Sequence, residues 1–395
     1  MFDFDWLIQP YSKQDFFENI WQKNAIQLAS KRPHHFERFF SAHDLERTLE
    51  YGQPKPPSIR LASTTANEKV TPPYNSTGRL DIDKLRKYYL SGQTVIVNNV
   101  EDFDANVAML VQALQKEISC RAQVNAYLTP PSAQGFNPHY DTHDVIVMQI
   151  EGEKLWRVHD KDSVCPLNEL TNGDPRLREA TTEPTQIKLT AGDVLYMPRG
   201  WIHEAETTET ASLHLTIGIH PPLGKDLLAA ALECACRLHP QFREPLPVGF
   251  LGSPEAKPLL QQQFAELLHL FTQTASVEQA TGVIEDELVR RGRSGGDGHL
   301  FSDMNKLHAI TTDSKVERRQ DVPCRLVDTD KGIGLQFLGS VIEGPPAFEP
   351  AMRFVMQQTD AFKVGTLPDL EPDHQRALMA SLITDGLCRF TETTW

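Results

Sequence analysis

The spacing of apolar and polar positions predicts a β-rich region in the first half of the chain. Short apolar runs at 94–97, 145–150 and 194–197 are typical of buried strands, and turn-forming residues separate them. From 212 to 217, Ser, His and Thr alternate with Leu, Leu and Ile, which predicts a strand with one polar and one apolar face. We therefore expect a β core between about 91 and 220.

Helices are predicted before, within and after this core, at 13–21, 81–90, 104–118, 226–238, 255–274 and 277–291. In the last three, apolar residues are spaced three and four apart. The glycine-rich stretch 292–298 predicts a flexible break. Beyond about 316, short strands at 324–327 and 334–337 accompany helices near 350–358 and 373–385. The pattern indicates three parts, at 1–220, 221–315 and 316–395.

Three residues in the β core form a candidate metal-binding set. His139 and Asp141 are two apart, so on a strand both would face one cavity, and His203 follows 64 residues after His139. We expect His203 just after the strand 194–197, beyond a Pro-Arg-Gly turn. Two imidazoles and a carboxylate hold non-haem Fe(II) on one face and leave the opposite positions open. The alternative is that each histidine is an ordinary polar loop residue, but the spacing and flanking residues favour the metal site.

Several motifs around these ligands resemble the JmjC ribosomal oxygenases, which are cupin-fold, 2-oxoglutarate-dependent protein hydroxylases. The motifs are NAYLTP at 125–130, QGFNPHYD at 134–141, QIEGEKLWR at 149–157 and GDVLYMPRGWIHEA at 192–205. They are specific between about 125 and 217, and elsewhere the chain is similar mainly in layout. The resemblance implies an α+β fold with three domains. A catalytic domain in 1–220 has an N-terminal preface and a double-stranded β-helix (cupin/JmjC) barrel core at about 91–220; a helical dimerisation domain follows in 221–315 and a winged-helix-like domain in 316–395.

The resemblance also implies roles for residues around the metal. Lys154 matches the lysine that pairs with the distal carboxylate of 2-oxoglutarate, since a buried dicarboxylate requires a cation. The alternative is a solvated lysine beside a turn. Residues expected to line the same pocket are Asn125, Tyr127, Ser212, His214 and Thr216, unless their strand faces point to solvent. Tyr140 and Arg199, with Trp201, flank the ligands and are candidates for the substrate channel.

The implied activity is hydroxylation of a side-chain carbon of arginine or histidine in a ribosomal protein, with Fe(II) and 2-oxoglutarate as cofactors. A ribosomally made precursor peptide is an alternative substrate. Lysine demethylation and a non-catalytic, ligand-binding cupin are further alternatives. The intact ligand set together with Lys154 argues against the non-catalytic one.

The composition of the chain limits which binding partners and which cellular compartment we expect for the protein. The net charge of −14 excludes non-specific nucleic-acid binding, and residues 321–395 carry 6 Lys and Arg against 11 Asp and Glu, which argues against direct DNA binding. The six cysteines lack zinc-type spacing. The chain shows neither a signal peptide nor a long apolar span, so we expect a cytoplasmic protein that is not in the membrane. The resemblance implies a homodimer through the helical segment, with an intramolecular bundle as the alternative.

Overall fold

The chain divides into two units, Met1–Pro221 and Pro222–Trp395. The computed structural model describes residues 2–28, 34–64, 71–161, 166, 183–252, 254–291 and 300–391. The glycine-rich break expected at 292–298 lies outside the described residues. A further boundary near 315 stays a prediction.

Antiparallel strands form two sheets in the first unit. The strands are β1 (Ile26–Leu28), β2 (Ile59–Ala62), β3 (Thr94–Val97), β4 (Arg121–Thr129), β5 (Asp144–Glu151), β6 (Glu153–Lys161), β7 (Thr185–Thr190), β8 (Val194–Met197), β9 (Trp201–Thr207) and β10 (Ser212–His220). The larger sheet has the order β1-β8-β5-β10-β4-β3-β2, and the smaller has the order β7-β6-β9. The predicted strands at 94–97 and 194–197 have these bounds, and the predicted strand 145–150 is one residue longer at each end.

Helices surround these sheets in the first unit. They are α1 (Phe4–Ile8), α2 (Lys13–Asp15), α3 (Ala42–Arg47), α4 (Ile82–Leu90) and α5 (Ala105–Ile118). The helix predicted from 104 begins one residue later because Asp104 is its N-cap and accepts hydrogen bonds from the backbone N–H groups of Asn106 and Val107. The single helix predicted over 13–21 is instead the short α2 followed by a π-helical turn, Phe16–Ile20.

The strand β5 is buried on both faces, which explains its continuous apolar sequence. On one face, Val145 and Val147 pack with Trp156 of β6 from the smaller sheet. On the other face, Ile146 belongs to the large core cluster that also contains Leu110 of α5. Burial of each such side chain contributes roughly 1.5–3 kcal/mol. The two sheets therefore face each other, and helices cover the outer face of the larger one.

The second unit begins with helices and continues as a mixed α and β region. Its helices are α6 (Gly224–Leu238), α7 (Ala256–Thr274), α8 (Val277–Arg290), α9 (Leu300–Lys306), α10 (Glu349–Gln357) and α11 (Pro372–Thr384). Its strands are β11 (Lys315–Arg318), β12 (Cys324–Thr329), β13 (Gly332–Phe337), β14 (Ser340–Gly344), β15 (Phe362–Lys363) and β16 (Cys388–Phe390). They form two small sheets, β12-β13-β14 and β15-β11-β16. Small residues let α6 and α8 approach closely, since Ala230, Ala231 and Ala280 are buried together.

Every helix in the described parts of both units is too short or too polar to cross a membrane.

Candidate functional site

Three ligand-type side chains meet between the two sheets. Each of His139, Asp141 and His203 offers one ligand atom, a ring nitrogen or a carboxylate oxygen, and these three atoms lie within 4.8 Å of one another. Nε2 of His203 is 3.7 Å from Oδ2 of Asp141, and the two imidazole ring centroids are 4.5 Å apart. All three side chains line a cavity of about 530 Å³. The structure thus brings the three predicted ligands to one point.

The backbone that carries these ligands differs from the prediction. His203 lies within β9 and not after the end of a strand, because Gly200 turns the chain at a φ of 84° and a new strand, paired with β6 of the smaller sheet, begins at Trp201. His139 and Asp141 lie outside the strands, whereas the sequence predicts that both lie on one strand. A backbone bridge holds His139 instead: its N–H donates to the carbonyl of His203 at 3.1 Å, and the reverse bond is 2.8 Å.

Local carbonyl groups orient both imidazoles toward the same point. Nδ1 of His139 lies 2.9 Å from the carbonyl oxygen of Asn137, and Nδ1 of His203 lies 2.9 Å from that of Trp201. A carbonyl only accepts, so each Nδ1 carries the proton and each Nε2 keeps a free lone pair. This is the tautomer that a metal-binding histidine needs.

The charges of the three groups suit a metal ion. Burial and the neighbouring His139 lower the pKa of His203 to about 4, so its imidazole is neutral at pH 7. Burial raises the pKa of Asp141, but the imidazoles of His203 and His143 outweigh it, and the pKa lies below its ordinary value. The set therefore offers the neutral nitrogen of His203 and the ionised carboxylate of Asp141, and together with Nε2 of His139 they form the donor set that fits Fe(II).

Lys154 supplies a buried cation to the same cavity. It is only 4% exposed, and its Nζ donates to Oγ1 of Thr129 at 3.1 Å. Thr129 in turn accepts a hydrogen bond from Oγ1 of Thr94 at 3.3 Å. Burial alone lowers the pKa of Lys154 to about 7, with no contribution from an acidic side chain among the described residues. A buried amine without an anionic partner is costly, so this end of the cavity is suited to an anion.

Aromatic side chains form the wall beside Lys154. The rings of Tyr127 and His214 are stacked at 4.8 Å with an angle of 4°, and Trp156 meets His214 edge-on at 5.6 Å. Burial and the nearby Lys154 hold the pKa of His214 well below its usual range. Its Nδ1 is buried without a hydrogen-bond partner in the described part of the chain. This orphaned polar atom fits a cavity made for a polar ligand.

The remaining predicted pocket residues divide into two groups. Asn125 and Thr216 line the cavity with the residues above. Ser212 does not line it as the described residues define it: the pairing of β10 with β5 is irregular between residues 213 and 214, and Ser212 accepts a hydrogen bond from Nε2 of Gln149 at 2.8 Å.

The three candidates for the substrate channel are also absent from the described cavity wall. Tyr140 is buried at 3% exposure. Arg199 donates to Oε1 of Gln22 at 3.2 Å. Trp201 packs against the core between the sheets. Their contribution to a substrate channel stays a prediction.

Sequence reasoning missed several residues of the cavity. Trp156 lines the cavity and follows Lys154 by two positions on β6, and Thr129, which accepts the hydrogen bond from Lys154, follows Tyr127 by two on β4, so strand alternation could have identified both. His143 also lines the cavity and stacks on His220 at 4.3 Å, where the spacing had suggested only a turn. No sequence signal marks Thr94 and Arg60, because they reach the cavity from strands distant along the chain.

Comparison with known proteins agrees with this geometry. Residues 98–227 match the family described as the JmjC domain. Ribosomal oxygenase 1 of Danio rerio is 32% identical over 260 residues, which are 63% of this chain and 47% of that protein. The bifunctional lysine-specific demethylase and histidyl-hydroxylase NO66 of Drosophila mojavensis is 31% identical over 251 residues, covering 62% of this chain and 28% of that protein. The chain thus spans less than half the length of these curated relatives.

The fold has a counterpart among solved structures. Escherichia coli YcfD, described as a ribosomal oxygenase in complex with cobalt and 2-oxoglutarate, superposes with a TM-score of 0.56 at 18% identity. The match covers 97% of this chain and 99% of that one. It therefore shows a shared cupin-type fold with mixed helices and sheets. Residues 98–227 therefore match a JmjC domain on this fold, and the chain is similar in sequence to the ribosomal oxygenase 1 and NO66 proteins.

Proposed function

We propose that the chain is an Fe(II)- and 2-oxoglutarate-dependent oxygenase that hydroxylates a side-chain carbon of a ribosomal protein. One observation carries the proposal: the ligand trio of His139, Asp141 and His203 shares its cavity with the buried, anion-free Lys154. A redox metal beside a buried cation suits a dicarboxylate that binds both. The relatives named ribosomal oxygenase support the choice of reaction and of substrate class.

The trio would hold the metal, and Lys154 would bind the distal carboxylate of 2-oxoglutarate. When bound, Fe(II) and 2-oxoglutarate supply the chemistry that activates O₂ for attack on a C–H bond. Thr129 keeps the Lys154 amine in place through its hydroxyl oxygen. The stacked Tyr127 and His214, closed by Trp156, exclude water from this end of the cavity. Because the metal performs the oxidation, the protein needs no general base.

The substrate proposal rests on charge and on the relatives. A net charge of −14 favours a basic partner, and ribosomal proteins are basic as a class. Histidine and arginine are the candidate target residues, and the name histidyl-hydroxylase carried by the NO66 relatives favours histidine. A precursor peptide and a methylated lysine remain competing substrates for the same site.

The second unit would serve assembly and protein contact. Large apolar side chains are exposed on its first two helices, namely Leu228, Leu232, Leu259, Phe264 and Leu268. Exposed apolar side chains at this density usually mark an interaction surface, which supports the homodimer implied by the resemblance. We propose that the winged-helix-like region 316–395 contacts protein and not DNA, given its excess of acidic residues.

Intact-mass analysis of ribosomal proteins tests the proposed function. Cells with the gene are compared with cells that lack it and with cells that express Asp141→Ala. We expect one ribosomal protein to be heavier by a single oxygen atom only with the wild-type enzyme. An unchanged set of ribosomal proteins would contradict the proposed substrate and favour the precursor peptide. Loss of a methyl group from a lysine would instead identify a demethylase.

A further inference from the structure

We propose that Gln134 is a positioning residue for the metal ligand His139 and that Glu204 anchors it. The segment that carries His139 runs beside β9 and touches its backbone at two places. Gln134 bridges Glu206 at one place, and His139 bridges His203 at the other. The intervening residues 135–138 must hold their shape if His139 is to present Nε2 to the metal.

The side chain of Gln134 contacts this intervening stretch directly. Its Nε2 donates to the carbonyl oxygen of Phe136 at 2.9 Å and to Oε2 of Glu204 at 2.8 Å. The next carbonyl along the chain, that of Asn137, accepts the hydrogen bond from Nδ1 of His139. Gln134 thus fixes the peptide that precedes the group orienting the imidazole. A continuous series of contacts therefore links Glu204 to His139 through Gln134 and residues 136–137.

Glu204 is a firm anchor for this chain of contacts. Its side chain is 17% exposed and lies directly after the ligand His203 in β9. Its Oε1 is 3.8 Å from a guanidinium nitrogen of Arg157, which also pairs with Glu206. A hydrogen bond to an ionised carboxylate is about twice as strong as one between neutral groups. The anchor and one histidine therefore belong to the same rigid strand, so Gln134 couples the two histidine ligands.

Groups that orient metal ligands without touching the metal typically contribute about 10–100-fold to metal affinity or activity. Gln134→Met keeps the length of the side chain and removes its amide. We expect Co(II), titrated into the protein and followed by visible absorption, to bind about 10–100-fold more weakly, with altered ligand-field bands. The apo protein should keep its unfolding midpoint. The proposal rests on the metal site of the proposed function, but this readout requires no turnover.

Two further variants make the test specific. Glu204→Gln keeps an acceptor oxygen and should retain most of the Co(II) affinity, whereas Glu204→Ala removes the anchor and should reproduce the altered bands even if Gln134→Met does not fold. Gln186→Met, at an exposed position on β7, is the matched control and should bind Co(II) as the wild type does. Equal affinity and identical bands in wild type, Gln134→Met and Glu204→Ala would overturn the positioning role and leave the metal site standing. A wild-type protein that does not bind Co(II) would overturn the metal site itself and this role with it.

Discussion

Replacing Lys154 with methionine should separate cosubstrate binding from stability. Methionine fills similar space but carries no charge. Removing one partner of a buried charge pair costs about 3–5 kcal/mol, which corresponds to more than about a hundredfold in affinity. We therefore expect the Kd for 2-oxoglutarate to rise by at least that factor, because Lys154 provides the cation at its end of the cavity.

The same substitution, which weakens 2-oxoglutarate binding, should make the apo protein more stable. Burial lowers the pKa of Lys154 from 10.5 to about 7, so the unfolded chain binds a proton that the folded chain releases between these values. Lys154 therefore destabilises the fold below pH 10.5, and the penalty grows until the pH falls to about 7. At pH 8 the penalty is on the order of 3 kcal/mol, from about 1.4 kcal/mol for each pH unit. Methionine should raise the free energy of unfolding by up to this amount.

Isothermal titration of 2-oxoglutarate into the Co(II)-loaded protein measures the first effect, and urea unfolding of the apo protein measures the second. Lys188→Met is the matched control, because Lys188 is exposed on β7 and pairs only with Glu153 in the described structure. It should leave both quantities nearly unchanged. Unaltered 2-oxoglutarate affinity in Lys154→Met, or an apo protein less stable than wild type, would refute the reasoning.

Two further predictions concern the same end of the cavity, and a third concerns the turn at Gly152 between β5 and β6. The affinity for 2-oxoglutarate, measured by titration calorimetry across pH, should fall about tenfold per pH unit above 7 as Lys154 loses its proton. Lys154→Arg stays charged and should abolish this pH dependence. An equal pH dependence in both proteins would refute the assignment of Lys154. Thr129→Val should weaken 2-oxoglutarate binding by about 1.5–3 kcal/mol, since it removes a hydrogen bond to a charged group; calorimetry showing no loss would exclude a role for the hydroxyl. Gly152→Ala should lower the free energy of unfolding by at least about 2 kcal/mol, because Gly152 has a φ of +67° and an added Cβ would lie 2.0 Å from the carbonyl oxygen of Ala211; a urea-unfolding midpoint equal to that of wild type would contradict this.

The metal ligands could be predicted because their residue types and spacing are visible in the sequence. Two histidines and an aspartate with strand-forming neighbours indicate an iron site before any coordinates are known. The backbone around them could not be predicted in the same way. The Pro-Arg-Gly segment before His203 does end β8, yet a new strand that pairs with β6 starts one residue after Gly200. Only the partner strand, which is distant in sequence, determines this outcome.

The contacts that give Lys154 its character also depend on the folded arrangement. A lysine next to a turn is usually solvated, and the residue types near it do not indicate burial. Its partner Thr129 lies 25 residues earlier in the chain. Burial follows from β6 facing the larger sheet, so the depressed pKa is a property of the fold and not of the local sequence.

Succinate formation from 2-oxoglutarate tests the central claim most directly. The purified protein is loaded with Fe(II), supplied with 2-oxoglutarate and O₂, and analysed for succinate without any peptide. We expect slow succinate release that requires both Fe(II) and O₂ and that disappears in Asp141→Ala, which lacks the carboxylate ligand. If the wild-type protein released no more succinate than Asp141→Ala in the presence of each candidate substrate as well, the chain would not be a 2-oxoglutarate oxygenase.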